Sequence, residues 1–362
     1  MSGKLRAGIA GYGYMGQIRR RNIADNPDLE LVGICDPGQN AAIAALGIPV
    51  FDRWEALVDS GIDVVFACTP NYLIPEVAIR ALGNRCHVFC EKPPGRNLAD
   101  VMRIRAAEEA SPGSKLLFGF NHRHHPGITD AKAIVDSGSL GRILTLRGVY
   151  GKGGGHDYHT TWRNDPAIGG GGILLDQGIH MLDIFRFFVG DFDEVMAMRG
   201  VTAFDVPVED NAFVLLRTPQ GQMAQLHSSA TAWKHTFRLE IGCEKGYLAV
   251  SGLLSKTGSY GRETLVIGRR PSVGERMAVG NPREETVYYD TDVSWDIEVA
   301  HLVECIRNNK PVEKGTSMDA IRVMEIIDRV YREPLMKRTT IGPAVAMAPN
   351  GTQRSADHRS QA

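Results

Sequence analysis

The sequence predicts an α/β protein in which an N-terminal, doubly wound parallel sheet is followed by an α+β domain with a large, mostly antiparallel open sheet. In the first third of the chain, apolar segments of strand length alternate with segments of helical periodicity, which is typical of a parallel sheet. Beyond residue 190, strand-like segments follow one another with no helix between them, which indicates antiparallel pairing. The length of 362 residues is sufficient for two such domains.

The first domain is predicted to span residues 1–123 and to begin with a strand, a glycine turn, a helix and a second strand over residues 5–36. Further strands are expected at 50–52, 63–70, 87–93 and 115–123, with helices from 53, at 75–82 and at 98–110. Ligands bind beyond the carboxyl ends of strands in such sheets. The residues at these ends are therefore expected to surround a cofactor: Thr69, Pro70, Asn71, Glu91, Lys92 and Asn121.

The turn after the first strand has the GxGxxG spacing of a dinucleotide-binding loop. Gly11 permits the tight turn, Gly13 lets the backbone approach a pyrophosphate, and Gly16 packs the helix on the strand. Asp36 ends the second strand, where a carboxylate binds both hydroxyls of an adenosine ribose and repels a 2'-phosphate. The sequence therefore favours NAD over NADP, with Tyr14 and Met15 inside the same loop.

The second domain is predicted to span residues 124–333. A helix over 125–141, a strand from 142 and a long loop precede a central helix at 176–189, and strands and two closing helices follow. An antiparallel sheet with one open face favours a homodimer or homotetramer formed through that sheet. Residues 334–362 lose periodicity and become polar, so they are predicted to form a mobile tail.

The stretch GGGGILLDQGIHMLD at 169–183 brings an acid and an imidazole close together. Asp176 and His180 are four residues apart, so on a helix they share one face. Four consecutive glycines suggest close approach of the backbone to a flat ligand. A histidine titrates near neutral pH, so this segment is predicted to move a proton.

Composition excludes several classes of function. A net charge of -1 gives no electrostatic basis for binding nucleic acid or an anionic membrane. No stretch reaches 18 uninterrupted apolar residues, and we expect a cytoplasmic protein. Histidines cluster at 122–125 and 156–159, but neither cluster has the cysteine or acidic spacing of a zinc site, so no metal is predicted.

The motifs GYGYMG, CTPN, CEKPP, GFNHR and GGGGILLDQGIHMLD occur in this order, and together they resemble the Gfo/Idh/MocA family of sugar and cyclitol oxidoreductases. The resemblance covers roughly residues 5–333. It implies a Rossmann domain followed by a domain whose open sheet often forms oligomers. It also implies that Lys92, Asp176 and His180 are the catalytic residues.

The expected reaction is hydride transfer between NAD and a secondary alcohol of a sugar, cyclitol or nucleotide-linked sugar. His180 is the expected general acid/base, and Lys92 is expected to hold the reacting oxygen. Trp162 and Arg163 resemble a WR element that lies near cofactor or substrate in many members of the family. The full set expected to bind substrate is Lys92, Asn121, Arg123, His156, Tyr158, His159, Asp176 and His180.

Two other functions remain open at this point. A non-catalytic NAD-binding regulator needs the pocket but not a proton acceptor, so the retention of all three catalytic residues argues against it. An NAD-assisted glycosidase or lyase uses transient oxidation to activate a neighbouring C–H bond, and the sequence does not exclude it. Motifs do not encode which hydroxyl is oxidised or which sugar is bound.

Overall fold

The computed structural model describes residues 3–38, 41–155, 157–255, 257–270 and 283–337. Its first sheet is built from alternating strands and helices. The bounds are β1 (Leu5–Ala10), α1 (Tyr14–Asp25), β2 (Leu29–Cys35), α2 (Ala41–Ala44), β3 (Val50–Phe51), α3 (Trp54–Val58), β4 (Val64–Ala67), α4 (Ile74–Gly83), β5 (His87–Cys90), α5 (Leu98–Glu109) and β6 (Leu116–Phe118).

This first sheet is parallel and doubly wound, as predicted. Its strand order is β3-β2-β1-β4-β5-β6, with every neighbouring pair parallel. Strand β4 is buried along its whole length, because helices cover both faces of the sheet. The order reverses between β1 and β4, so the ligand crevice of this fold opens at the carboxyl ends of those two strands.

The second sheet is open and mostly antiparallel, which confirms the predicted fold class. The elements of the remaining chain are α6 (Pro126–Asp136), β7 (Ile143–Gly153), α7 (Ile179–Val189), β8 (Glu194–Val201), β9 (Asn211–Arg217), β10 (Met223–Ser229), β11 (Thr231–Cys243), β12 (Gly246–Ser251), β13 (Glu263–Arg269), β14 (Glu284–Tyr289), α8 (Ser294–Arg307), α9 (Ser317–Arg332) and β15 (Leu335–Lys337). The strand order is β14-β13-β12-β11-β7-β10-β9-β8-β15. Only the β7–β10 and β8–β15 pairs are parallel among the described strands of this sheet.

Helix α7 packs against the inner face of this second sheet. A Cβ atom at Gly148 of β7 would lie 2.5 Å from Met181 Cγ and 2.8 Å from Phe185 Cζ, so the glycine makes room for the side chains of the helix. Both of these side chains are fully buried. This packing fixes α7, and the residues that precede it, next to the carboxyl-terminal half of β7.

Helix α8 packs on the first sheet although it lies within the predicted second domain. The sequence places it in the second domain, but its apolar face joins the core of the first sheet. The buried residues of this shared core include Leu5, Ile9, Ile23, Val299, Leu302, Val303 and Ile306. The amphipathic pattern of α8 shows that it has an apolar face, but the pattern does not show which sheet that face covers.

The predicted mobile tail begins with a short strand. Leu335–Lys337 forms β15, which pairs in parallel with β8 at the edge of the second sheet. A strand of three residues is too short to show the two-residue period that identifies strands in a sequence. The rest of the predicted tail, 338–362, lies outside the described residues.

Candidate active site

The glycine loop between β1 and α1 forms one wall of the crevice. A Cβ atom at Gly16 would lie 2.2 Å from Gly11 O, so the loop leaves no room for a side chain at this position. At Gly13 a Cβ atom would meet nothing within 4 Å. Tyr14 and Met15 begin α1, whose backbone N–H groups face the crevice at its N-terminus. This open backbone next to a helix N-terminus fits a pyrophosphate group.

Asp36 lies directly against this loop. Its Oδ2 accepts a hydrogen bond from Tyr12 N at 2.7 Å, and its Oδ1 accepts one from Gly38 N at 2.8 Å. Each carboxylate oxygen keeps a further lone pair that can accept a hydroxyl proton. The carboxylate is therefore fixed beside the glycine loop.

Replacing Asp36 with serine is expected to weaken the preference for NAD. The change removes charged hydrogen-bond acceptors worth about 1.5–3 kcal/mol, so KM for NAD should rise about 10- to 100-fold. KM for NADP should fall, because the repulsion of its 2'-phosphate is removed. Steady-state kinetics with each cofactor measure both effects, and an unchanged NAD/NADP ratio would contradict the role assigned to Asp36.

Residues after β4 form the adjoining wall. Thr69 Oγ1 is buried and has no hydrogen-bond partner among the described residues, so a ligand in the crevice could satisfy it. Pro70 follows it, and Asn71 Nδ2 donates to Gly169 O at 2.7 Å. Asn71 thus ties this edge of the first sheet to the glycine run of the second domain.

Glu91, at the end of β5, forms a buried ion pair with Arg19. Its Oε1 accepts from Arg19 Nε at 2.6 Å, and Arg19 Nη2 also donates to Glu298 Oε1 at 2.6 Å. Arg19 is completely buried, and its guanidinium stacks on Phe89. One carboxylate oxygen of Glu91 is thus engaged by Arg19, whereas Glu91 Oε2 is buried without a hydrogen-bond partner among the described residues, and its assignment to cofactor binding stays a prediction.

Lys92 reaches from the end of β5 to the second domain. Its Nζ donates to the backbone oxygen of Asp176 at 2.6 Å and lies 3.7 Å from Asp176 Oδ1. The Lys92–Pro93 peptide bond is cis. Burial lowers the pKa of the Lys92 ammonium, and the neighbouring Asp176 carboxylate offsets this only in part. The two domains therefore bring an amine and a carboxylate together at the crevice.

Asp176 lies in a π-helical turn rather than in a regular α-helix. This turn, Leu174–Gly178, precedes α7 and changes the spacing to His180 from that of a continuous α-helix. Glu209 anchors the turn, since its Oε1 accepts from Gly172 N and Leu174 N at 3.1 Å each. The single helix predicted from residue 176 is therefore wrong in its first turn.

The glycine run before this turn is required for packing against protein. A Cβ atom at Gly170 would lie 2.5 Å from the backbone of Arg96, and one at Gly172 would lie 2.0 Å from Glu209 O. The expectation that these glycines face a flat ligand is wrong, because neighbouring chain segments fill the space beside them. Sequence alone does not distinguish these two reasons for a glycine.

Three cationic side chains surround Asp176. Lys92 is joined there by Arg163, whose Nε lies 3.5 Å from Oδ1, and by Lys152, whose Nζ lies 3.9 Å from Oδ2. Burial alone would raise the pKa of Asp176, but Lys92, Arg163 and Lys152 outweigh it and lower that pKa. The indole of Trp162 lies under the Arg163 guanidinium at 4.6 Å. The structure thus places the WR element at the carboxylate.

His180 is buried beside this group and stacks on a second histidine. The ring centroids of His180 and His122 are 3.6 Å apart, with an interplanar angle of 20°. His180 Nδ1 is buried and has no hydrogen-bond partner among the described residues. Burial, the charge of Lys92 and the nearby His125 all lower the pKa of His180. At neutral pH the imidazole is therefore uncharged and able to accept a proton.

Asn121 contacts His122 and does not line the cavity beside Asp176, and its substrate contact stays a prediction. Its Oδ1 lies 2.9 Å from His122 Nδ1, and its Nδ2 donates to Ser294 Oγ at 3.0 Å. Because Oδ1 can only accept, His122 carries its proton on Nδ1. His122 Nε2 then accepts from the Tyr150 hydroxyl at 2.9 Å. Sequence analysis missed His122 and Tyr150 as parts of the site.

Replacing His122 with alanine is expected to lower kcat about 10- to 100-fold, because His180 loses the aromatic ring on which it stacks. A misplaced reacting group lowers the rate by this order of magnitude. His122→Phe keeps a flat ring against His180 and should retain more of the activity than His122→Ala. KM for NAD should not change in either variant. Equal kcat values for the two variants would show that stacking does not position His180.

Arg123 is another predicted substrate-binding residue that has a structural role. Its Nε donates to Asp183 Oδ2 at 2.7 Å, and its Nη2 donates to Asp183 Oδ1 at 2.5 Å and to Asp319 Oδ1 at 3.0 Å. The arginine is 6% exposed and Asp183 is 0% exposed. This buried ion network joins α7 to α9 and favours a structural role, and the substrate contact of Arg123 stays a prediction.

A cavity of about 280 Å³ adjoins Asp176 on the side of the 151–159 loop. Tyr158 lines it, and the Tyr158 ring packs on Phe204 with centroids 4.5 Å apart. His159 is exposed and does not line this cavity, so the structure does not bring it to the site. His156, also predicted to bind substrate, lies outside the described residues.

Neither a metal-binding cluster nor an apolar helix of membrane-spanning length is present in the part of the chain that the structure describes. No group of three or more histidine, cysteine, aspartate or glutamate side chains is arranged to hold a metal ion there. None of the helices in the same residues is long and apolar enough to cross a membrane.

The fold and the site together define a class of protein. The doubly wound sheet carries a dinucleotide loop, and the second domain places an acid and an imidazole beside Lys92, which is the arrangement of a two-domain nicotinamide-dependent oxidoreductase. The family model described as "Oxidoreductase family, NAD-binding Rossmann fold" matches residues 5–117. The model described as "GFO/IDH/MocA C-terminal domain" matches residues 128–249. The chain belongs to the Gfo/Idh/MocA family, and its cofactor is NAD.

Curated relatives include several enzymes of carbohydrate metabolism. The chain is 32% identical to levoglucosan dehydrogenase of Pseudarthrobacter phenanthrenivorans over 46% of its own length and 44% of that relative, so the match spans less than half of the relative. It is 28% identical to myo-inositol 2-dehydrogenase of Thermotoga maritima, over 70% of this chain and 77% of the relative. It is 30% identical to 2,7-anhydro-N-acetylneuraminate hydratase of Escherichia coli K12, over 68% of this chain and 67% of the relative.

Solved structures support the same fold. A levoglucosan dehydrogenase in complex with NADH and L-sorbose superposes with a TM-score of 0.79 at 21% identity. The match covers 91% of this chain and 96% of that one. The whole described architecture, including the packing of both sheets, is therefore that of a known two-domain fold.

Proposed function

We propose that this protein is an NAD-dependent dehydrogenase that oxidises a secondary alcohol of a sugar or cyclitol, or of a sugar linked to a nucleotide. The observation that carries the proposal is the meeting of Lys92 with Asp176 at the crevice, close enough to His180 for the lysine charge to lower the pKa of the imidazole. The relatives named as levoglucosan and inositol dehydrogenases support a cyclic polyol as substrate.

The side chains of Lys92, His180 and Asp176 each have a distinct role in the oxidation. Lys92 donates a hydrogen bond to the reacting oxygen and stabilises the negative charge that develops on it as its proton leaves. His180 accepts that proton, because it is neutral at pH 7 and its Nδ1 has no protein partner among the described residues. Asp176 stays ionised and holds a neighbouring hydroxyl of the ring or fixes the position of Lys92.

The cofactor supplies the hydride acceptor when it is bound. The residues suited to hold it are the glycine loop with Gly13, the carboxylate of Asp36 and the unpartnered hydroxyl of Thr69. In the reverse direction, the reduction of a ketone, the same side chains act and the proton moves the other way. His180 then donates a proton to the oxygen of a ketone that Lys92 holds.

The direct test is NADH formation, followed at 340 nm, over a panel of cyclitols, monosaccharides, anhydro-sugars and nucleotide-linked sugars. Turnover with at least one cyclic polyol, and its loss in Lys92→Met, is the expected result. Absence of NADH formation with every member of the panel would contradict a dehydrogenase function.

A second function has a specific observation in its favour. One relative is named a hydratase of an anhydro-sugar, and hydration produces no net NADH. An enzyme of this kind uses NAD transiently, so the oxidised intermediate is reduced again before release. Product analysis of reactions without net NADH formation separates this NAD-assisted lyase-type reaction from a dehydrogenase.

We also propose that the chain forms a homodimer or homotetramer through the second sheet. The outward face of β8–β10 carries exposed apolar side chains on neighbouring strands, and this pattern is typical of an interface. In the sheet register Met198 lies opposite Phe213, and Met196 lies opposite Leu215. Sedimentation equilibrium tests this proposal, and a monomer at all concentrations would contradict it.

A further inference from the structure

The cavity beside Asp176 has the size of a single substituted sugar ring. Its volume of about 280 Å³ lies just below the roughly 300–1,000 Å³ of small-molecule sites. The polar side chains that line it are Lys152, Asp157, Tyr158, Thr161, Arg163 and Asn164, together with Asp176. The cavity therefore continues from the proposed reacting group into a pocket with polar walls.

Two cationic side chains in this cavity have uncommitted donors. Lys152 Nζ and Arg163 Nε lie 3.9 Å and 3.5 Å from the Asp176 carboxylate, which is longer than the roughly 2.7–2.9 Å of a charged hydrogen bond. Among the described residues, neither side chain donates a hydrogen bond to another protein group. By contrast, the buried Arg19 and Arg123 both bond directly to carboxylates.

The charge around the reacting position is unbalanced. Lys92, Lys152 and Arg163 all approach the single carboxylate of Asp176 within 4.0 Å. The other carboxylate that lines the cavity is Asp157, which is exposed at the rim, where solvent screens its charge. An anion placed between Lys152 and Arg163 would satisfy donors that the protein itself leaves unused.

We propose that the substrate is an acidic monosaccharide whose anionic group, a carboxylate or a phosphate, is bound by Lys152 and Arg163. This inference rests on the proposed function and narrows its substrate class. The anion occupies the cavity that Lys152 and Arg163 line beside Asp176, and the ring hydroxyl to be oxidised lies toward Lys92 and His180. Lys152 is then a determinant of specificity that no sequence motif identifies.

The first experiment compares matched substrates. NADH formation is measured with D-glucose, D-glucuronate and D-glucose 6-phosphate, and with the corresponding galactose series. We expect kcat/KM for the acidic sugars to exceed that for the neutral sugars about 10-fold or more and to fall as ionic strength rises. The uronate and phosphate arms identify which anion is bound, and equal or higher kcat/KM for the neutral sugars would overturn the inference.

The second experiment measures binding without turnover. The enzyme–NADH complex is titrated calorimetrically with D-glucuronate and with D-glucose 6-phosphate, in wild type and in Lys152→Met. The affinity for the bound acid should fall about 10- to 100-fold in this variant, and Lys152→Arg should restore most of it. Lys245→Met is the matched control, because Lys245 is exposed in the turn after β11, at the opposite end of the strand that pairs with β7 near Lys152.

The two experiments separate the failure of this inference from that of the proposed function. If acid binding depends on Lys152 but no sugar yields NADH, the anion-binding role of Lys152 stands and the dehydrogenase proposal fails. If neutral sugars are oxidised well and Lys152→Met behaves like Lys245→Met, the dehydrogenase proposal stands and the acidic substrate is excluded.

Discussion

Replacing His180 with alanine is expected to lower kcat about 100- to 10,000-fold, which is the usual contribution of a positioned acid/base group. The physical reason is that the alcohol proton loses its acceptor, whereas the hydrogen bond from Lys92 to Asp176 does not involve the imidazole. NADH affinity, measured by fluorescence titration, should stay nearly unchanged. His87→Ala is a matched control, because His87 begins β5, at the opposite end of that strand from Lys92.

The pH profile provides an independent measure of the same residue. Burial and the charge of Lys92 lower the pKa of His180 from its usual 6.5, so the imidazole still accepts a proton at pH values below 6.5. Burial also lowers the pKa of Lys92 from 10.5, so its charge is lost earlier as the pH rises. For alcohol oxidation, the fall of kcat/KM on the acid side should therefore have its midpoint below pH 6.5. The fall on the alkaline side should have its midpoint below pH 10.5. An acid limb that persists in His180→Ala would assign it to another group.

Much of the first domain could be predicted because its signals are local. Buried parallel strands such as β4 and β5 are short apolar runs, and the helices between them show their period directly. Strand ends then locate the crevice, since the carboxyl ends of parallel strands meet at one edge. The GxGxxG loop and Asp36 follow from the same local pattern, and the structure places them side by side.

The missed features depend on contacts between distant segments. Helix α8 covers the first sheet although it follows the second sheet in sequence, and its amphipathic pattern contains no information about that partner. Tyr150 and Lys152 lie in β7, where the alternation of residues predicts which side chains are buried but not that they meet His122 or Asp176. The π-helical turn at Leu174–Gly178 depends on Glu209, about thirty residues later in the chain.

Arg123 and Glu91 show a second limit. A charged residue at the end of a strand has the same sequence signature whether it binds a ligand or forms a buried ion pair. Only the structure reveals that Arg123 reaches Asp183 and Asp319, and that Glu91 reaches Arg19. The two interpretations of Arg123 lead to opposite expectations for a variant, so they can be separated by experiment.

Replacing Arg123 with methionine is expected to lower the free energy of unfolding by about 3–5 kcal/mol, because it leaves the buried Asp183 carboxylate without its partner. Urea unfolding measures this loss as a lower midpoint. Arg53→Met is the matched control, since the Arg53 side chain is 74% exposed beside Glu55 and its loss should cost no more than about 0.5 kcal/mol. If Arg123 instead bound substrate, its variant would match this control in stability and would only raise KM.

A double variant tests the electrostatic cause directly. Arg123→Met combined with Asp183→Leu removes both members of the buried pair, and replacing such a pair with apolar side chains is often close to neutral. We therefore expect the double variant to be more stable than Arg123→Met alone, even though it carries an additional substitution. A double variant no more stable than Arg123→Met would contradict the unpaired charge as the cause, because both variants lack the contact of the guanidinium with the Phe187 ring, 5.4 Å away, and differ only at residue 183.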